Sequence, residues 1–144
     1  MSNTILVPVD GGEPADRAFE FVIDRFPDSS ITVLYVISPH EARYLTGEEK
    51  RFRPSFEAAV EEATAFLDEY AERAEQAGVE VVTDHTMAYE GGRTARAILN
   101  YSDDHSIDHI VMGSHGRRGV DRLLLGSVAE KVLKRADIPV TIFR

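Results

Sequence analysis

Short apolar runs alternate with helix-forming stretches along this chain, and that alternation limits the fold more than any other feature. Runs rich in β-branched residues, bounded by turn residues, are typical of strands buried on both faces of a parallel sheet. The stretches between them show helical spacing of apolar residues or the Gly and Pro signals of helix ends. The predicted strands are 5–9, 31–37, 79–87, 107–112 and 138–143, and the predicted helices are 14–25, 55–76, about 93–104, and 126–136.

This order of elements predicts an α/β fold with one five-stranded parallel sheet and helices on both of its faces. The pattern has no linker and no repeat, so we expect a single domain over residues 1–144. Right-handed crossovers leave few topologies, and we expect the Rossmann-like strand order 3-2-1-4-5. In that order the first and fourth strands are neighbours at the switch point of the sheet, where ligands of such folds bind. Asp10 and Gly113 follow these strands and are expected to face each other across a crevice.

Composition narrows the class of protein. The chain has a net charge of −9, so nucleic acid and anionic membranes are not expected partners. It has no cysteine, which excludes disulfides and thiolate metal sites. No apolar run approaches the ~20 residues that span a bilayer, and no basic region opens the sequence, so we expect a cytoplasmic location. The excess of acidic residues and of Arg over Lys fits either a high-salt cytosol or Arg-rich codon usage.

The stretch after the fourth strand has the strongest chemical signal. It reads GSHGRRGVDRLLLGS over residues 113–127. Glycines let backbone N–H groups turn toward an anion, and the start of the following helix adds unpaired N–H donors. Three Arg and one Asp give these residues a charge of +2 within an acidic chain. We therefore predict a polyphosphate-binding loop, in which the Ser127 hydroxyl either contacts a phosphate or caps the helix.

Other chemical readings of the sequence are weaker. The P-loop pattern with its lysine is absent, and so is the GxGxxG fingerprint of dinucleotide-binding folds. His115 has no evident serine or carboxylate partner in the sequence, so we assign no catalytic residue. The remaining histidines show no spacing typical of metal ligands. They are His40, His85, His105 and His109.

The spacing Gly113-x2-Gly116-x9-Gly126-Ser127 resembles the nucleotide-loop signature of the universal stress protein family, in its ATP-binding branch. The opening residues 7–11 (VPVDG) and the closing pair Pro139-Val140 resemble that family too, so the similarity covers essentially the whole chain. The resemblance implies an adenine nucleotide alpha hydrolase-like fold, bound ATP with Mg²⁺ or Mn²⁺, and a regulatory role in the stress response.

The resemblance also implies roles for individual positions. Asp10 would meet the ribose or the metal–phosphate region, as the metal ligand, beside Pro8 and Val9 in the nucleotide site. Val36 would line the adenine pocket through backbone hydrogen bonds, while Met112 and Gly113 would support the ribose and adenine. The phosphates would be held by Gly116, Gly126, Ser127 and Val128, with Arg117 as a further contact. Gly12 stands where many members have Ser, which removes a polar side chain from that helix start.

The last strand predicts self-association. In the order 3-2-1-4-5 it lies at the edge of the sheet, and it is mostly apolar, with no charge before Arg144. Such an edge invites pairing with another chain, and members of the resembled family commonly dimerise through this strand. We expect a homodimer through residues 138–143.

Two other functions remain as alternatives. A homodimeric interaction module with a vestigial nucleotide site would keep the same loop residues. A phosphotransfer receiver domain shares the five-strand pattern, but it needs an acidic pair after the first strand and a Lys after the fifth. This chain has Asp10 alone, and it ends at Arg144. The sequence shows no nucleophile, general base or Lys suited to efficient ATP hydrolysis, and slow hydrolysis stays open.

Overall fold

The five strands form one parallel sheet in the order β3-β2-β1-β4-β5, so the predicted fold class and strand order are confirmed. The computed structural model describes residues 3–38, 56–88, 93–115 and 125–144. The elements in these ranges are β1 Thr4–Pro8, α1 Glu13–Arg25, β2 Ser30–Ile37, α2 Phe56–Gln76, β3 Val81–Met87, α3 Thr94–Asp104, β4 His109–Gly113, α4 Ser127–Arg135 and β5 Val140–Phe143. The strands β3 and β5 are the two edges of the sheet.

Each face of the sheet is covered by two helices. Ile5 and Val7 of β1 lie in a cluster with buried residues of α1 and α2, which we call the α1/α2 cluster. Leu6, between them, lies in a second cluster with buried residues of α3 and α4, the α3/α4 cluster. Because successive side chains of a strand point to opposite faces, a strand covered on both faces must be apolar at every position. This is the physical reason for the uninterrupted apolar run after Thr4.

Three strands begin two residues later than the apolar pattern predicts. Val79, Ile107 and Ile138 precede β3, β4 and β5 and are not part of those strands. Val79 and Ile107 are nevertheless only 8% and 5% exposed. Apolar residues indicate burial, and a residue that leads into a strand can be buried without pairing with a neighbouring strand.

The C-terminus of α2 follows from Gly78, as the sequence predicts. Gly78 has a φ of +75°, and its N–H donates to the Glu75 carbonyl at 2.9 Å. The Val79 N–H donates to the Ala74 carbonyl at 2.9 Å, which completes a Schellman motif. The chain is thereby turned from α2 into β3. None of the helices within the described ranges is both long enough and apolar enough to cross a membrane.

Candidate functional site

The strands β1 and β4 are neighbours, and they end at the same edge of the sheet. From β1 the chain enters α1 on one face, whereas from β4 it reaches α4 on the other face. This divergence is the switch point at which ligands of open α/β sheets bind. We call the space between residues 9–12 after β1 and residues 114–115 and 125–126 after β4 the switch-point crevice.

Asp10 shapes the short loop after β1. Its Oδ1 accepts a hydrogen bond from the Gly12 N–H at 2.8 Å, an Asx turn that draws the loop tight. Gly11, inside this turn, has a φ of +85°, which favours glycine. Gly12 is the N-cap of α1 and Pro14 lies in its first turn, as predicted. The carboxylate of Asp10 is thus held at the start of α1, on the β1 side of the crevice.

The first turn of α1 is fixed from α2. The Tyr70 hydroxyl donates to Asp16 Oδ1 at 2.6 Å, and the Asp16 N–H donates to the Gly12 carbonyl at 3.1 Å. Burial, together with the hydrogen bond to Asp16, raises the pKa of Tyr70, so this hydroxyl remains a donor at neutral pH. A contact between residues 54 positions apart leaves no signal in the sequence, and the sequence analysis missed it.

Gly113 ends β4 where the backbone of α1 crosses closely. A Cβ at this position would lie 2.7 Å from the Ala15 nitrogen and 2.9 Å from the Pro14 Cβ. No side chain fits at those distances without moving the backbone. The first glycine of the loop motif therefore lets β4 and α1 pack together, whatever further contact it makes with a ligand.

Ser114 joins the two ends of the long loop after β4. Its N–H donates to the Phe143 carbonyl at 2.6 Å, and its carbonyl accepts the Gly126 N–H at 2.7 Å. A Cβ on Gly126 would lie only 3.0 Å from that Ser114 carbonyl oxygen. The start of α4 is thereby placed directly beside the end of β4. Gly116 and Arg117, two of the predicted phosphate contacts, lie outside the described residues.

The N-terminus of α4 is capped by a residue without a side chain. Gly126 occupies the N-cap, and within the described ranges no side chain takes over that role. Ser127 is exposed and is the first residue of α4, so it does not cap the helix, which was one of its two predicted roles. The first N–H groups of an α-helix have no acceptor in the helix itself, and they favour an anion in front of them.

The end of β2 presents backbone groups to the crevice. The Val9 N–H donates to the Leu34 carbonyl at 2.9 Å, and the Ala88 N–H donates to the Ile37 carbonyl at 2.9 Å. Leu34 therefore directs its backbone groups toward β1, and Ile37 directs its own toward β3. Since these directions alternate along a strand, Val36 directs its N–H and C=O toward β1, past the point where β1 ends. This is the side on which adenine is predicted to bind.

The apolar positions of the predicted site come from four elements, β1, β2, β4 and α4. Met112 is 5% exposed and belongs to the α3/α4 cluster, against which Val36 and Val128 also pack. Pro8 and Val9 are buried at the end of β1, and Val9 belongs to the α1/α2 cluster instead. The predicted residues that the structure describes therefore all lie along the carboxyl edge of the central strands, divided between the two faces.

Among the described residues that border the crevice, Asp10 supplies the one carboxylate, and this limits the kind of metal that fits there. In the described part of the chain, no group of three His, Asp or Glu side chains could hold a metal ion. Mg²⁺ bound to a polyphosphate usually takes only one or two protein carboxylates. The donor set thus fits a cation that arrives with a nucleotide, and Asp10 as its ligand stays a prediction.

Ser114 and His115 form a pair that the sequence analysis missed. The Ser114 Oγ lies 2.9 Å from the His115 Nδ1, so His115 does have a serine partner. Neighbouring side chains in an extended segment point apart, and for that reason adjacency in sequence does not predict contact. Two other histidines have contacts away from the crevice. His109 binds the Thr141 hydroxyl, and His105 stacks on Tyr101.

Comparisons with known proteins agree with this architecture. The model of the universal stress protein family matches residues 1–144. Universal stress protein MJ0531 of Methanocaldococcus jannaschii is 32% identical over 142 residues, which cover 97% of this chain and 81% of that protein. The solved structure of MJ0577, from the same organism, has a TM-score of 0.78 and 27% identity, and the match covers 99% of this chain and 96% of that chain.

A second solved structure is a complex with a nucleotide. It is the universal stress protein from Archaeoglobus fulgidus in complex with dAMP, with a TM-score of 0.67 and 20% identity. The match covers 100% of this chain and 98% of that chain, and at this identity it shows a shared fold. With a family model matched along its whole length and a relative of 32% identity over nearly all of it, this chain belongs to the universal stress protein family.

Proposed function

We propose that this chain is a cytoplasmic regulatory protein that binds ATP, together with a divalent cation, in the switch-point crevice and responds to ATP during stress. One observation carries the proposal. The hydrogen bond from the Gly126 N–H to the Ser114 carbonyl places the start of α4, with no side-chain cap in the described residues, at the end of β4. Asp10 stands at the end of the neighbouring strand.

The two sides of the crevice would bind different parts of the nucleotide. The phosphates would lie before the N-terminus of α4, where Ser127 and the helix N–H groups attract negative charge. Gly116 and Arg117 would complete the phosphate site from the loop. Adenine would bind along the end of β2, where the Val36 backbone groups and the side chains of Met112 and Val128 offer polar and apolar contacts.

The cation would be Mg²⁺ or Mn²⁺, held between the phosphates and Asp10. It would neutralise phosphate charge, which otherwise repels the carboxylate of Asp10 and the net negative charge of the chain. The dAMP complex of the Archaeoglobus fulgidus protein supports the choice of an adenine nucleotide, because that protein shares this fold. Regulation of a partner, rather than turnover of ATP, fits the sequence analysis, which assigns no catalytic residue.

Calorimetry tests this function directly. We expect ATP with Mg²⁺ to bind more tightly than ATP without it, and GTP to bind more weakly than ATP. Binding to the folded state should raise the unfolding free energy by about 2.7 kcal/mol at a hundredfold excess over Kd. Native mass spectrometry of the purified protein should detect co-purified adenine nucleotide. If millimolar ATP gives neither heat of binding nor a change in Tm, the interaction module with a vestigial site becomes the better function.

We also propose that two copies pair through β5. The Pro139 and Phe143 carbonyls accept hydrogen bonds from Ile110 and Ser114, so these residues direct their backbone groups toward β4. By alternation, Val140 and Ile142 direct their N–H and C=O groups to the open edge of the sheet. An antiparallel pairing of two β5 strands about a twofold axis would satisfy these groups.

A matched pair of variants tests the dimer. Ile142→Pro removes one N–H that points to the open edge, whereas Ile142→Ala loses a similar amount of packing and keeps that N–H. Light scattering should give about twice the 16.0 kDa chain mass for the wild type and for Ile142→Ala. The Pro variant should have the mass of one chain. A wild-type mass near 16.0 kDa at micromolar concentration would rule out the dimer.

A further inference from the structure

Ser114 is a buried polar residue whose hydroxyl has a defined partner. It is 1% exposed, and its Oγ lies 2.9 Å from the His115 Nδ1. Its N–H and its carbonyl are both used in backbone hydrogen bonds, to Phe143 and from Gly126. Ser114 is therefore fixed at three points, and its hydroxyl holds the ring of the next residue.

This hydrogen bond bears on the tautomer of His115. A buried hydroxyl needs an acceptor for its proton, and within the described residues the acceptor available to Ser114 Oγ is the His115 Nδ1. When Nδ1 accepts, the proton of the neutral imidazole is on Nε2. A serine hydroxyl that donates to Nδ1 thus goes with the tautomer that has its donor at Nε2.

His115 lies against the start of α4. A Cβ added to Gly126 would approach the His115 Cα to 3.2 Å and its Cβ to 3.3 Å, so the two backbones are in close contact. The His115 ring is half-buried and is held by its Nδ1 on the Ser114 side. Within the described residues the structure gives Nε2, on the opposite side of the ring, no partner, so a donor there can serve a group that binds at the crevice.

We propose that His115 is a phosphate-binding residue, whose Nε2–H donates to a nucleotide phosphate oxygen, and that Ser114 is the residue that positions it. This inference rests on the proposed nucleotide site and deepens it. A ring with its proton on Nε2 donates a hydrogen bond and does not take a proton from water at that atom. His115 would thus bind the phosphates without serving as a general base. This suits a protein that binds ATP and does not hydrolyse it efficiently.

Two substitutions of His115 separate the ring nitrogens. The amide nitrogen of Gln can replace the Nε2 donor, whereas the shorter Asn side chain reaches only the Nδ1 position. We expect His115→Asn to weaken ATP binding about tenfold or more, the loss of one hydrogen bond to a charged group, and His115→Gln to stay within about threefold of wild type. Adenosine, which has no phosphate, should bind all three proteins equally. The matched control is His105→Asn, a histidine at the end of α3 that stacks on Tyr101.

Ser114→Ala tests the positioning role by a readout that packing alone would not move. The ¹⁵N resonance of the His115 Nδ1 should shift, because this nitrogen loses the hydroxyl from which it accepts, and ATP affinity should fall while adenosine affinity is kept.

If ATP and adenosine both bind but His115→Asn leaves ATP affinity unchanged, the inference is wrong and the nucleotide site stands. If neither ligand binds the wild-type protein, the proposed function itself fails.

Discussion

Two strand-to-helix loops meet at the switch point, and they close by different means. The loop after β1 is short and is closed by a side chain, with Asp10 Oδ1 accepting from the Gly12 N–H. The loop after β4 is longer and is closed by backbone, with the Ser114 carbonyl accepting from the Gly126 N–H. The hydrogen bond that closes the first loop therefore uses the Asp10 carboxylate. The hydrogen bond that closes the second loop joins two backbone groups and uses no side chain.

The helices that follow these loops differ in the number of acidic residues in their first turns, two in α1 and one in α4. The first turn of α1 contains two carboxylates, Glu13 and Asp16, which lie near its positive end and are paired with Arg17 and with the Tyr70 hydroxyl. The first turn of α4 has Gly126 as its cap, and its acidic residue, Glu130, is paired with Lys134 at 2.8 Å. The β1 side of the switch-point crevice thus carries carboxylates, which suit a cation. The α4 side carries helix N–H groups, which suit an anion.

A carboxylate introduced at the start of α4 should make this helix start resemble that of α1, and we expect it to have the largest effect on ATP affinity. Ser127→Asp places negative charge where the phosphates are proposed to bind, and we expect ATP affinity to fall about a hundredfold or more, measured by calorimetry. The same change should leave the unfolding free energy equal or up to about 1 kcal/mol higher, because Asp favours a helix N-terminus. The neutral control, Ser127→Asn, should cost less than about tenfold. Equal losses for Asp and Asn would contradict the assignment of phosphate to α4.

The two glycines that bound the long loop should differ in their effect on stability. Gly113→Ala brings a Cβ to 2.7 Å from the Ala15 nitrogen, which only a backbone shift can relieve. We expect the unfolding free energy to fall by about 2 kcal/mol or more in urea denaturation. Gly126→Ala meets its nearest atom at 3.0 Å and should cost about half as much. The reverse ranking would mean that the long loop, rather than the packing on α1, decides the requirement for glycine.

Asp10→Asn should have the smallest of the three effects. Asn keeps an oxygen that can accept from the Gly12 N–H, so the short loop and the stability of the fold should change little. The lost charge should weaken Mg²⁺–ATP binding about tenfold and bring it close to the affinity for ATP alone. Titrations of both proteins with and without Mg²⁺ measure this. An unchanged preference for Mg²⁺ in the variant would exclude Asp10 as the metal ligand.

Within the candidate site, local positions could be predicted and long-range contacts could not. The roles of Gly78 at the end of α2 and of Pro14 in the first turn of α1 could be predicted from the backbone preferences of these single residues. Both residues lie where the sequence predicts them. The hydrogen bond between Tyr70 and Asp16 and the close approach of Gly113 to Ala15 join residues far apart in the chain. These contacts depend on how α1 and α2 pack on the sheet, which no pattern within one element specifies.

The sequence by itself determined the alternation of strands and helices, because a strand buried on both faces has to be apolar at every position, and the right-handedness of crossovers then left few strand orders. It also marked the glycine loop through its spacing and its local positive charge. Tertiary structure alone decided that Ser114 would join β5, the start of α4 and His115 at one point. Hydrogen bonds of this kind depend on distances between elements to within a few tenths of an ångström, and only the packed core fixes those distances.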